Sequence, residues 1–167
     1  CFLSRSRMVA VPGTGNMNAK IFFVGEAPGN EEDKIGRPFV GRSGKFLDWL
    51  FGKYGFDRKK VFITSIVKCR PPKNRKPKPE EISVCRSMYL QEQIRLIQPK
   101  VVVLFGEVAL KAMLNLQGLS KIHGIPIKRD DIIYFPTYHP ASGMRFPEIR
   151  KKMMADFRKL RDIKTKI

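Results

Sequence analysis

Four short runs along the chain are apolar almost without interruption: residues 21–25, 61–67, 101–105 and 132–136. A strand with one wet face alternates polar and apolar positions, whereas a strand covered on both faces has no need to. The four runs therefore predict strands buried on both sides. The stretches between them carry helical period. Residues 43–54 set Phe46, Leu47, Leu50 and Phe51 on one face, and residues 80–97, starting after Pro79, repeat Ile82, Cys85, Tyr89, Leu90, Ile94 and Ile97. Residues 107–116 and 147–163 complete the set. Strand and helix in alternation predict an α/β domain with a mostly parallel sheet. A chain of 167 residues fits one such domain, 1–167, with a core of its own. The proline-rich segment 70–79 is too irregular for helix or strand and reads as an ordered, basic surface loop.

Open α/β sheets bind ligands outside the carboxyl ends of their strands. Each predicted strand here runs into a chemically unusual segment: Gly25 to Asp33 (GEAPGNEED), Lys68 to Arg75 (KCRPPKNR), Gly106-Glu107, and Thr137 to Ser142 (TYHPAS). On one rim these would build a single pocket. The glycines flanking Pro28 allow a tight turn with backbone N–H groups facing a ligand. Acids in a first helical turn have an ordinary structural explanation, which covers Glu31 to Asp33 better than Glu26 at the end of a buried strand. Glu26 or Glu32 is therefore a candidate for chemistry. His139 is held extended by Pro140 and shares the rim with the acidic loop. His123 reads as structural, in a hairpin or loop.

Charge narrows the partner. Lysine and arginine outnumber aspartate and glutamate by 33 to 15, a net +18, which points to a polyanion and above all to nucleic acid. No apolar run approaches the ~20 residues of a membrane span, and no signal peptide is visible, so a cytoplasmic protein is expected. Three cysteines, an odd number, argue against a disulfide framework. Cys1, Cys69 and Cys85 could be buried apolar residues or ligands to a soft metal, one short of the usual four. The chain opens on cysteine rather than methionine, and upstream residues are expected to be missing.

Taken together, GEAPGNEED (25–33), GRPFVGRSGKFL (36–47), VFITSIVKCRPPKNRKP (61–77), EEISVC (80–85), PKVVVLFG (99–106) and PTYHPAS (136–142) resemble the type-4, iron–sulfur branch of the uracil-DNA glycosylase superfamily. The resemblance implies a three-layer α/β/α sandwich around a four-stranded parallel sheet, a monomer, and hydrolysis of the N-glycosidic bond of deoxyuridine after base flipping. It implies that Phe39 stacks on the base and that Asn74 contacts the base or the strand near it. His139 would hydrogen-bond the uracil O2, Glu26 and Ala27 would line the pocket, and Glu32 would order the attacking water. Arg70, Lys73, Arg75, Lys76 and Lys78 would grip phosphates, with Met144 and Arg145 entering the emptied stack. It also implies a [4Fe–4S] cluster on Cys1, Cys69 and Cys85, the fourth ligand lying upstream of Cys1.

Two departures qualify this. Ser65 stands where the family usually carries an asparagine that reads the Watson–Crick edge of uracil, so the base preference is open. The first cysteine pair is represented by Cys1 alone. A glycosylase for hypoxanthine or xanthine is the alternative within the enzyme class. A non-catalytic iron–sulfur nucleic-acid-binding protein is the alternative outside it, and would leave the acidic loop and His139 without a task. A dinucleotide-binding enzyme is a poor third, since no GxGxxG opens the first helix.

Overall fold

The computed structural model describes residues 1–167. Six strands form one sheet: β1 (Thr14–Gly15), β2 (Ile21–Gly25), β3 (Phe62–Ser65), β4 (Val101–Phe105), β5 (Ile127–Arg129) and β6 (Ile132–Thr137), in the order β1-β3-β2-β4-β6-β5. The four central strands are parallel, with Phe23 opposite Ile63 and Val103 and, further along, Val103 opposite Phe135. The expected four-stranded parallel sheet is thus its centre. Two short antiparallel edge strands, β1 on β3 and β5 on β6, enlarge it. They escaped the hydrophobic pattern because neither is a sustained apolar run. β3 stops at Ser65, short of the end of the second apolar run, and the N–H groups of Ile66 and Val67 bond to the carbonyls of Gly25 and Glu26 at the end of β2.

Successive side chains of a strand point to opposite faces, and the central strands feed two separate cores. Phe22, Val24, Val102 and Leu104 pack beneath α3 (Pro79–Cys85), α4 (Gln91–Ile97) and α5 (Gly106–Leu114). Ile21, Phe23, Val101, Val103 and Phe105 pack beneath α2 (Arg42–Tyr54) and α8 (Pro147–Lys164). The result is the three-layer sandwich. Phe157 of α8 sits at the heart of the second core, its ring 5.8–6.5 Å from those of Phe23, Phe51, Tyr54, Phe56 and Phe105. Short helices α1 (Asn30–Ile35), α6 (Leu119–Ile122) and α7 (Pro140–Arg145) complete the fold. No helix is long and apolar enough to cross a membrane.

The helix expected over 80–97 is interrupted by one wide, π-helical turn at Arg86–Leu90, between α3 and α4. An inserted residue advances every later side chain around the axis. Tyr89, expected on the buried face, is 51% exposed as a result. Such turns gather at functional sites, and this one starts beside Cys85.

From β2 the chain passes to β3 on one side, whereas from β4 it passes to β6 on the other. The loops leaving β2 and β4 therefore diverge, and this is where such sheets hold ligands.

Candidate active site

A cavity of about 310 Å³ opens at that divergence, lined by Glu26, Ala27, Pro28, Gly29, Glu32, Phe39, Ser43, Ser65, Pro71, Asn74, Arg75, His139 and Ala141. Its size is at the lower end of the range for small-molecule sites. All six residues expected to contact a base, and Glu32 with them, line this one cavity. Glu26 comes off the end of β2, Ser65 is the last residue of β3, and His139 follows β6 directly.

His139 caps α7. The Ala141 N–H donates to its Nδ1 at 3.2 Å, which leaves the proton of the neutral ring on Nε2. Loss of water around the ring pushes its pKa down to about 4, outweighing the attraction of Glu32. At neutral pH it is therefore an uncharged hydrogen-bond donor.

Phe39 lies beside the imidazole, ring centroids 5.8 Å apart, and takes a left-handed backbone conformation with φ 52°. Such a φ is costly for an aromatic residue and persists only where its surroundings enforce it. Here Arg58 donates to the Phe39 carbonyl at 2.6 Å. Two glycines admit the close approach: a Cβ on Gly44 would stand 1.9 Å from the Phe39 carbonyl oxygen, and one on Gly25 would stand 2.7 Å from the ring.

Glu32 lines the cavity and is held there by backbone donors. Its Oε1 accepts from the N–H groups of Val40 and Gly41, both at 2.9 Å, and its Oε2 from Gly29 at 3.1 Å. The buried carboxylate ties the acidic loop to the Phe39 loop. Glu26, by contrast, has no side-chain hydrogen bond among those found, and burial raises its pKa despite the pull of Lys76.

The basic loop is ordered as expected, with a short turn at Pro72–Asn74 in which Lys73 and Asn74 both have positive φ. Asn74 accepts from Arg70 Nε at 2.7 Å through its Oδ1, so its NH₂ group is the part free for a ligand. Arg70 also donates to Asn30 at 2.8 Å. Arg75, expected on phosphate, lines the cavity and forms a two-pronged ion pair with the buried Glu81 at 2.7 and 2.8 Å. It holds the loop to α3, which leaves Lys73, Lys76 and Lys78 as its exposed cations. Arg145 is exposed and Met144 half-buried.

Sequence reasoning missed one group. Asp156 of α8 is buried and accepts from Thr137 Oγ1 at 2.6 Å and from His123 Nδ1 at 3.0 Å. His123 in turn packs on Tyr138, centroids 4.8 Å apart. Both residues preceding His139 are thereby anchored. His123 lies in the turn that follows α6, the loop alternative to a hairpin. An acid within the apolar period of α8 was the available signal.

On the opposite face of the basic loop, a second cavity of about 360 Å³ is lined by Cys1, Cys69 and Cys85 together with Arg7 and Lys68. Arg7 donates to Cys69 Sγ at 3.0 Å and the Lys68 N–H to Cys85 Sγ at 3.2 Å. Lys68 is 5% exposed, its Nζ is bonded only to the Thr64 hydroxyl and the Ser65 carbonyl, and burial pulls its pKa down to about 7. Burial pushes the Cys85 thiol up, so it is the donors on the two sulfurs that suit them as metal-bound thiolates. No three His, Cys, Asp or Glu side chains converge as a group that could hold a metal ion.

The family model of the uracil DNA glycosylase superfamily matches residues 12–160. The chain belongs to that superfamily. It is 45% identical to a type-4 uracil-DNA glycosylase of Sulfurisphaera tokodaii, over 98% of this chain and 78% of the relative. It is 43% identical to the type-4 enzyme of Saccharolobus solfataricus, over 97% and 79%. To that of Thermotoga maritima it is 42% identical, over 95% and 85%. The matched span contains every residue lining the first cavity.

Proposed function

We propose that this glycosylase-superfamily protein excises uracil from DNA by hydrolysing the bond between N1 of a flipped-out uracil and C1′ of its sugar. The observation that carries the reading is the convergence of Glu26, Phe39, Ser65, Asn74 and His139 on one cavity at the strand ends. The base stacks on Phe39. The Asn74 amide and the Ser65 hydroxyl face its polar edge. As the bond breaks, its electron pair leaves with uracil, and the Nε2–H of neutral His139 stabilises the developing anion at O2. The sugar becomes oxocarbenium-like. The Glu26 carboxylate faces it, orients water for attack at C1′ and takes the proton that water gives up. Lys73, Lys76 and Lys78 hold the phosphate backbone, and Met144 and Arg145 occupy the space the base vacates. The protein acts as a monomer in the cytoplasm, as one domain.

Uracil-containing single- and double-stranded oligonucleotides are expected to release free uracil and to break at that position in alkali. Bound DNA with its uracil intact would overturn the enzyme reading. Hypoxanthine and xanthine substrates in the same assay measure the base preference. Ser65→Asn is expected to shift it toward uracil by about tenfold, the worth of one good amide contact.

The three cysteines would hold three corners of a [4Fe–4S] cluster, the fourth ligand coming from outside this set. The cluster's contribution is structural, fastening the basic loop and α3 beside the DNA path. Protein purified without oxygen is expected to be brown, with absorbance near ~400 nm from thiolate–iron charge transfer. Colourless protein with no bound iron would remove the cluster from the reading.

A further inference from the structure

We propose that the side of α2 leading away from the pocket is a second nucleobase platform, on which the DNA strand flanking the flipped nucleotide stacks, with Trp49 as its main contact. The inference rests on the reading that DNA is the substrate.

Trp49 is the one tryptophan of the chain and is 46% exposed. Its ring stacks on Phe46, centroids 5.5 Å apart and planes 19° from parallel. Each ring carries a cation: Lys53 Nζ lies 5.7 Å from the centre of Trp49, and the Arg150 guanidinium lies 5.6 Å from Phe46. A lone exposed aromatic on a helix calls for no explanation. Paired aromatics flanked by cations are another matter. That combination is how proteins hold single-stranded nucleic acid, the rings taking bases and the cations taking phosphates.

The platform is continuous with the pocket. Ser43, in the first turn of α2, lines the cavity. Phe46 packs against Gly143 of α7, so closely that a Cβ there would stand 2.8 Å from its ring. Arg150 also donates to the carbonyls of Gly143 and Met144, both at 3.1 Å. His139 caps that same helix. From Ser43 to Lys53 the helix advances ~15 Å at 1.5 Å per residue, room for more than one nucleotide beyond the lesion. Charge favours DNA over an acid-free protein partner. The single acid of α2, Asp48, is already paired with Arg58, and the chain carries +18 overall.

The test uses the emission of Trp49 itself. Two families of single-stranded oligonucleotides place uracil near one end and extend the strand either 5′ or 3′ of it, with fluorescence anisotropy of a label reporting binding. Extension on one side is expected to quench Trp49, and an oligonucleotide truncated on that side to leave it unquenched. Trp49→Ala is expected to weaken binding of the extended strand about tenfold, to leave the truncated one unaffected, and to keep the single-turnover rate at saturating DNA. Trp49→Tyr, which preserves a stacking ring, should recover most of the affinity. Binding without quenching by either extension would overturn the proposal, as would equal losses on long and truncated strands. Uracil release in the same samples reports separately on the glycosylase reading: release without quenching sinks the platform alone, and quenching without release sinks only the enzyme.

Discussion

His139→Ala is expected to slow uracil release by about a hundred- to a thousandfold, the usual effect of deleting one donor to a developing oxyanion, with DNA affinity nearly unchanged. In the proposed mechanism the ring meets the base and not the phosphates, so the loss should fall on the single-turnover rate. A comparable loss of binding would contradict the assignment. The pH dependence checks it independently. Burial holds the imidazole pKa at about 4, so its neutral form persists from alkaline pH down to about 5. Below that the ring gains a proton. The His139-dependent part of the rate should therefore show no inflection between pH 6 and 7, where an ordinary histidine titrates. Stability follows with a defined sign. The unfolded chain binds this proton below about 6.5, before the folded one does, so the protein loses stability as pH falls from there toward 4.

Glu32→Ala is expected to act first on the fold. Its carboxylate accepts three backbone N–H groups from two loops, and each donor left buried without a partner costs ~1–3 kcal/mol. A loss of about 3–5 kcal/mol follows, or a drop in Tm on the order of 10 °C for a chain of this size. Activity should fall with it, because the freed segment carries Phe39 and its strained φ. Glu32→Gln retains one acceptor oxygen and is expected to lie between. Thermal unfolding of the three proteins decides the matter. An alanine variant that melts like the parent yet has lost its activity would return Glu32 to the chemistry.

Glu26 and Glu32 show why the acidic loop could be read only in part. Both are acids after a buried strand, and either could serve a sugar cation. Which one is free depends on whether Val40 and Gly41 present their N–H groups, eight and nine residues beyond Glu32, a matter of how two loops meet. Arg75 is similar. Within a run of cations it resembles its neighbours, and only the buried Glu81 on α3 gives it an ion-pair partner. Tyr89 failed for a local reason, since a helical wheel assumes an unbroken period and a single π turn rotates everything after it.

The sequence by itself determined the central strands, the helices between them and the chemistry-bearing loops at the strand ends. Burial on both faces leaves a continuous apolar run, amphipathic packing leaves a 3.6-residue period, and the loops between are the segments that need neither. The pocket anticipated at those ends is where Glu26, Phe39, Ser65, Asn74 and His139 do meet. Tertiary structure alone decided the rest: the edge strands, the hydrogen bonds of Glu32, the anchoring of the His139 loop by Asp156 and the continuity of Trp49 with the pocket through Phe46 and α7. Each depends on contacts between residues distant along the chain, such as the 19 that separate Thr137 from Asp156. No local period records such a distance.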